Sequence, residues 1–105
     1  EAEVSLIERG SSSYLNHTRW DLSISIIPAA QSITKIPIIV DASHGTGRRD
    51  LVAKMTFAGV AAGADGFLCE VHPDPEKSFS DADQAIDYKT YQYITKEVDR
   101  IRGIT

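Results

Sequence analysis

The sequence has 105 residues with one cysteine, and it contains no apolar run as long as a membrane span. A single cysteine excludes an internal disulfide, so the fold depends on packing, as is usual in the cytosol. Pro28, Lys35 and Pro37 interrupt the longest apolar stretches, whereas a spanning helix needs about 18–20 apolar residues. The first residues, Glu-Ala-Glu-Val, lack the pattern of a signal peptide. We therefore expect a cytoplasmic protein that does not enter a membrane.

Basic residues are also few, since 11 Lys and Arg stand against 15 Asp and Glu, for a net charge of −4. This mildly acidic balance gives no electrostatic reason to bind nucleic acid or an anionic membrane. With 42% hydrophobic and 25% charged residues, the composition is typical of a globular protein rather than a disordered segment. The length allows one small domain or a piece of a larger one.

Short apolar runs alternate with helical patterns along the chain. Strands are predicted at 4–7, 36–40 and 66–69, and helices at 22–33, 51–62 and 88–102. Asp21 is a candidate N-cap for the first helix, but Pro28 lies inside it, so this helix either kinks or begins later. The continuous apolar run at 36–40 is typical of a parallel strand buried on both faces. This order predicts an α/β fold with parallel strands and right-handed crossovers.

Side chains capable of chemistry follow the predicted strands. In βα proteins the loops after the strands carry the active site, and adjacent parallel strands bring these loops together. The second and third loops supply His44, Glu70 and Asp81. One nitrogen and two carboxylates suit a divalent metal such as Mn²⁺, Fe²⁺, Co²⁺ or Zn²⁺. Alternatively, His44 and Asp81 are solvated loop residues and Glu70 caps a neighbouring element.

Three arginines in these loops are candidate anion-binding residues. Arg9 follows a predicted strand and precedes a glycine, so it could hold a phosphate or carboxylate through paired hydrogen bonds. A salt bridge to Glu8 is the alternative. Arg48 and Arg49 precede a predicted helix, where guanidinium groups and backbone amides could hold an anion together. The alternative is a charged first turn completed by Asp50.

Two loop motifs are specific enough to indicate a family. The first reads Pro37-Ile-Ile-Val-Asp-Ala-Ser-His-Gly-Thr-Gly-Arg-Arg-Asp50, and the second reads Glu70-Val-His-Pro-Asp-Pro-Glu-Lys77, followed by Ser80-Asp81. With Ile7-Glu-Arg-Gly10 and Thr18-Arg-Trp-Asp-Leu22, they resemble the type I-beta 3-deoxy-D-arabino-heptulosonate 7-phosphate (DAHP) synthases. The resemblance covers essentially the whole chain.

The resemblance implies a (β/α)8 TIM barrel of which residues 1–105 form the C-terminal part, the last three βα units, so the barrel is incomplete in this chain. It implies a metal-dependent transferase that condenses phosphoenolpyruvate with erythrose 4-phosphate. The products are DAHP and phosphate, in the first step of the shikimate pathway to the aromatic amino acids. A homo-oligomer is expected.

The resemblance also implies roles for individual residues. His44, Glu70 and Asp81 match the family's metal ligands, with His44 and Asp81 also catalytic and Asp81 a candidate proton relay. Arg9 matches its phosphate-binding arginine, and Arg48 and Arg49 are further substrate-binding candidates. The family's metal-binding cysteine and its Lys-Pro-Arg segment precede the stretch matched here. Cys69 matches no ligand position, and because it adjoins Glu70 on a strand we expect it to pack beneath the helices.

Two alternatives to DAHP synthase are considered. The first is 3-deoxy-D-manno-octulosonate 8-phosphate synthase, which typically shows Asp-Ala-Thr-His-Ser-Val-Gln where this chain has Asp41-Ala-Ser-His-Gly-Thr-Gly47. That difference favours the DAHP branch. The second is a catalytically silent partial barrel, because a few βα units leave open sheet edges that a closed barrel removes.

Overall fold

The computed structural model describes residues 4–12, 20–74 and 85–103. These ranges form ten short strands and helical segments, with helical segments between the strands of the main sheet. In order they are β1 (Leu6–Glu8), β2 (Ser11–Ser12), β3 (Trp20–Asp21), α1 (Ile26–Gln31), β4 (Ile38–Asp41), α2 (Ala42–Thr46), a 3-10 turn (Arg49–Leu51), α3 (Val52–Ala61), β5 (Gly66–Leu68) and α4 (Tyr88–Ile101).

Within the described residues, β1, β4 and β5 form a parallel sheet with β4 at its centre. Ile39 of β4 lies opposite Ile7 of β1 on one side and Gly66 of β5 on the other. The predicted α/β class, with consecutive parallel strands separated by helices, is confirmed. β2 and β3 form a separate antiparallel pair, at a position where the sequence predicted a loop and a helix start. Asp21 lies in β3, so its predicted role as an N-cap is wrong.

The first helix is shorter than predicted and begins at Ile26, which confirms a late start rather than a kink. Pro28 then falls in the first turn, where backbone N–H groups have no partner inside the helix, so the ring costs no hydrogen bond there. Ile27 is fully buried against the core. Ile26 and Ile33, within the predicted span 22–33, are 46% and 86% exposed, so the apolar residues of this segment do not form one buried face.

The central strand β4 is covered by α3. Ile38 and Val40 are buried, with exposed fractions of 2% and 0%. A Cβ added at Gly59 of α3 would come within 2.8 Å of the Val40 side chain, so glycine lets the helix lie directly on the strand. The helix matches the predicted 51–62 closely, and Gly63, with φ of +113°, follows its end.

The last helix, α4, matches the predicted 88–102 to within one residue. The Asp87 side chain caps its start by accepting a hydrogen bond from the Thr90 amide (2.8 Å), and this bond holds the pKa of Asp87 below its ordinary value. Ile94 and Val98 are buried beneath it. Among the described residues, no helix is long and apolar enough to cross a membrane.

Candidate metal and phosphate site

Strand alternation places three of the candidate loops on one face of the sheet. Side chains two positions apart on a strand share a face, and the pairing aligns Ile7, Ile39 and Gly66. Arg9 follows Ile7 by two positions, and Glu70 follows Gly66 by four. Both lie just beyond the carboxyl ends of their strands, at Glu8 and Leu68, where an extended backbone would carry the two side chains to the face opposite α3. Because the three strands are parallel and adjacent, the loops after β1, β4 and β5 leave the sheet at the same end, as predicted.

The chain passes from β4 directly into the short helix α2, Ala42–Thr46, which was predicted as a loop because of its glycines. Asp41 is the N-cap of this helix, and its Oδ1 accepts a hydrogen bond from the His44 amide at 3.0 Å. The Thr46 hydroxyl donates to the Ala42 carbonyl (2.8 Å), which closes the turn. Capping and burial thus outweigh the low helix propensity of Gly45.

The same Asp41 carboxylate orients the His44 ring. Its Oδ2 lies 2.6 Å from Nδ1 of His44, and the side chains are 6% and 25% exposed respectively. Because an ionised carboxylate only accepts hydrogen bonds, Nδ1 is the ring nitrogen that donates to Asp41, and Nε2 is the ring nitrogen that faces Glu70. Carboxylates that fix a histidine in this way are typical partners of metal-binding histidines.

Glu70 is brought to His44 by a contact between the two loops. The Ser43 hydroxyl, fully buried, accepts a hydrogen bond from the Glu70 amide at 3.0 Å. Oε1 of Glu70 then lies 3.4 Å from Nε2 of His44. Two of the three predicted metal ligands are therefore adjacent. The third, Asp81, lies outside the described residues.

This donor set fits a divalent metal. An imidazole nitrogen and a carboxylate oxygen face each other, and a buried carboxylate fixes the orientation of the histidine ring. Within residues 4–12, 20–74 and 85–103, no three His, Cys, Asp or Glu side chains form a complete metal cluster. A complete site therefore needs a ligand beyond these ranges, and Asp81 is the predicted one.

Cys69 lies on the other side of the strand from Glu70. It is partly buried and packs against the hydrophobic core, as predicted. Burial, together with the negative charges of Asp41 and Glu70, raises the pKa of its thiol to about 11.

Arg9 lies in a tight turn at the end of β1. The Glu8 side chain accepts a hydrogen bond from the Gly10 amide at 2.7 Å, and Gly10 has a φ of +100°. The Arg9 side chain is exposed, at the edge of the face that carries His44 and Glu70. Its role in phosphate binding stays a prediction.

Arg48 and Arg49 lie at the start of the 3-10 turn Arg49–Leu51, with Arg48 as its N-cap. Nε of Arg48 donates to Oδ1 of Asp50 at 3.0 Å, and this hydrogen bond holds the pKa of Asp50 below its ordinary value. Arg49 lines a pocket between the starts of α3 and α4, beside Asp74 and Asp87. Among the described residues, Arg9, His44, Arg48 and Glu70 do not line that pocket, and substrate binding by the two arginines stays a prediction.

Two residues that position the site, Asp41 and Ser43, were not predicted from the sequence. Asp41 could have been found as an aspartate three residues before a candidate histidine, where it can cap the turn and reach the ring. Nothing in the sequence marks Ser43, because its partner is the backbone of Glu70, 27 residues later.

The comparisons with known proteins agree with these motifs. Residues 1–102 match the model of the DAHP synthetase I family. The phospho-2-dehydro-3-deoxyheptonate aldolase of Thermotoga maritima is 39% identical over 94% of this chain and 29% of its own length. The crystal structure of that organism's DAHP synthase superposes with a TM-score of 0.88 at 38% identity, over 96% of this chain and 31% of the other.

A second group of relatives carries a different name. The 2-dehydro-3-deoxyphosphooctonate aldolase of Verminephrobacter eiseniae is 31% identical over 93% of this chain and 37% of its own length.

A truncated form of the Thermotoga maritima 3-deoxy-D-arabino-heptulosonate 7-phosphate synthase superposes with a TM-score of 0.88, over 40% of its length. The chain thus spans well under half the length of these relatives.

Proposed function

The chain belongs to the DAHP synthetase I family, and we propose that it supplies metal ligands and a phosphate-binding arginine to a DAHP synthase. The observation that supports this most strongly is the approach of His44 Nε2 to Glu70 Oε1, at 3.4 Å, at the ends of neighbouring parallel strands. These residues belong to the two family motifs, and the Asp41 carboxylate fixes the orientation of the histidine ring.

The proposed reaction joins two phosphorylated substrates and releases one phosphate. Carbon 3 of phosphoenolpyruvate forms a bond to the aldehyde carbon of erythrose 4-phosphate, and the aldehyde oxygen takes up a proton. Water adds at carbon 2, and the carbon–oxygen bond to phosphate breaks from the resulting tetrahedral intermediate. The products are DAHP and inorganic phosphate, so atoms and charge balance without an oxidant or reductant.

Arg9 has the charge and the position for the phosphate of phosphoenolpyruvate. Its turn places an exposed guanidinium at the carboxyl end of β1, next to the strand that leads into His44. A guanidinium makes paired hydrogen bonds to phosphate oxygens and neutralises their charge. Preorganised cations of this kind stabilise a transition state by about 3–4 kcal/mol.

A divalent metal, one of Mn²⁺, Fe²⁺, Co²⁺ or Zn²⁺, is part of the proposal. His44, Glu70 and Asp81 would hold it, with Asp81 also a candidate proton relay. When bound, such a metal acts as a Lewis acid toward a carbonyl oxygen or lowers the pKa of water. Asp41 would act indirectly, by holding the His44 ring.

The test compares two aldehydes with the complete gene product. Phosphate release and product mass are followed with phosphoenolpyruvate plus erythrose 4-phosphate, and then plus arabinose 5-phosphate. We expect turnover of erythrose 4-phosphate. Preferred turnover of arabinose 5-phosphate would instead assign the protein to the 2-dehydro-3-deoxyphosphooctonate aldolase activity, and turnover of neither would contradict the proposal.

The 105-residue chain by itself is proposed to be an incomplete enzyme. Ile7 on β1 and Leu68 on β5 are 47% and 48% exposed, and both strands lie at the edges of the described sheet. The exposed side chains belong to the face opposite α3, and the outer strands of the described sheet can pair with further strands; completion of a barrel would cover both the face and the edges. We propose that the complete protein is cytoplasmic, forms a homo-oligomer and binds no nucleic acid; light scattering with and without DNA tests the last two points.

A further inference from the structure

The loop that carries Arg9 and the turn that carries His44 meet through two glycines. A Cβ added at Gly10 would lie 2.8 Å from both Cα and the carbonyl oxygen of Gly45. Gly10 follows Arg9 directly, and Gly45 follows His44 directly. The backbone contact is therefore only one residue away from each functional side chain.

Leu22 packs on the other side of this contact. A Cβ added at Gly45 would come within 2.3 Å of Cδ1 of Leu22 and 3.3 Å of its Cβ and Cγ. Leu22 is 7% exposed and belongs to the core. Gly45 is thus enclosed between the Gly10 backbone and the Leu22 side chain, which fixes the position of α2 against the end of β1.

We propose that Gly10 and Gly45 are positioning residues that set the distance between the Arg9 guanidinium and the His44 imidazole. Carbon atoms in contact lie about 3.5–4.0 Å apart, so a methyl group at position 10 would separate the two backbones by roughly 1 Å. A displacement of that size can lower a rate by about 100-fold. This inference rests on the proposed function, because it assigns phosphate to Arg9 and the metal to His44.

The test uses Gly10→Ala in the complete gene product, with Gly63→Ala and Gly103→Ala as controls. All three glycines have positive φ, of +100°, +113° and +79°, so each substitution strains the backbone. Among the described residues, the added Cβ at Gly63 meets the end of the Gln31 side chain, and at Gly103 it meets nothing within 4 Å. Only the variant at position 10 pushes against a neighbouring backbone.

Three quantities are measured for each variant: the melting temperature, the affinity for Mn²⁺ by titration calorimetry, and KM and kcat with phosphoenolpyruvate. We expect Gly10→Ala to weaken Mn²⁺ binding and to lower kcat/KM by about 100-fold, with both control variants close to the parent in these two measurements. A loss of melting temperature common to all three reports backbone strain and is not the diagnostic result.

A rescue experiment separates spacing from general destabilisation. The methyl group added by Gly45→Ala would contact mainly the Leu22 side chain, most of which Leu22→Ala removes. We therefore expect the double variant, Gly45→Ala with Leu22→Ala, to recover Mn²⁺ affinity relative to Gly45→Ala alone. Gly10→Ala meets backbone atoms, and Leu22→Ala is not expected to rescue it.

Two results would overturn the proposal in different ways. If the parent binds both Mn²⁺ and phosphoenolpyruvate while Gly10→Ala matches the Gly63→Ala control in both, the spacing role is wrong and the proposed function stands. If the parent itself binds neither probe, the proposed function fails and the spacing role fails with it.

Discussion

Oδ2 of Asp41 lies 2.6 Å from Nδ1 of His44, while Oδ1 of the same carboxylate accepts a hydrogen bond from the His44 amide at 3.0 Å. One nearly buried carboxylate therefore fixes both the backbone and the ring of the histidine. Because the last residue of β4 supplies this carboxylate, the ring orientation is tied to the central strand of the described sheet.

Asp41→Asn is expected to weaken metal binding without unfolding the protein. The amide keeps an oxygen that can cap the turn, but it no longer provides an anionic acceptor for Nδ1–H, so the tautomer and ring orientation are less well held. Loss of such a partner typically lowers metal affinity by about 10–100-fold, measured by calorimetric titration with Mn²⁺. Asp65→Asn is the matched control, since Oδ2 of Asp65 accepts from the Ile38 amide at the start of β4. Equal Mn²⁺ affinity in both variants would contradict the role given to Asp41.

Thr56→Val is expected to stabilise the fold. Thr56 is fully buried in α3, and within the described part of the chain its hydroxyl has no hydrogen-bond partner. An unsatisfied buried hydroxyl costs about 1–3 kcal/mol, so the free energy of unfolding should rise by about 1 kcal/mol in urea denaturation.

Thr46→Val is the contrasting variant for that experiment. Thr46 is equally well buried, but its hydroxyl donates to the Ala42 carbonyl at 2.8 Å and accepts from the Arg48 amide at 3.2 Å. The same substitution should therefore lower the free energy of unfolding. If both variants shift in the same direction, the hydrogen-bond account of these two hydroxyls is wrong.

Cys69 is expected to react slowly with alkylating reagents in the metal-free protein. Burial raises its pKa to about 11, so at pH 8 its thiolate fraction is on the order of 100-fold below that of free cysteine. The iodoacetamide rate should therefore climb about tenfold per pH unit beyond pH 9, where free cysteine levels off. A rate that levels off near pH 9 would show that the thiol is not shifted.

Local patterns in the sequence were sufficient to predict the main fold. The apolar run before Asp41 forms the buried central strand β4, and Ile94 and Val98 are the buried residues of α4. Both features lie where expected. The start of α1 could not be placed, because Pro28 is compatible with either a kink or a first turn. The antiparallel contact of Ser11 with Asp21 depends on pairing across the intervening segment, which no short window of sequence contains.

The site could be predicted only in part for a similar reason. His44 and Glu70 were found because their residue types suit a metal and their loops follow adjacent strands. Asp41 and Ser43 were missed as positioning residues, since their roles depend on hydrogen bonds to a ring and to a distant backbone amide. The contact of Gly10 with Gly45 is also a tertiary feature, and glycine in a loop is ordinarily explained by the turn alone.

The central claim is tested most directly by the rate of DAHP formation from phosphoenolpyruvate and erythrose 4-phosphate as Mn²⁺ is added. The measurement compares the complete gene product with its His44→Ala variant after chelation of bound metal. We predict that the parent's rate rises with Mn²⁺ and saturates, whereas the variant's rate does not respond to Mn²⁺. A variant that keeps bound metal and the parent's full metal-dependent rate would contradict the assignment of His44.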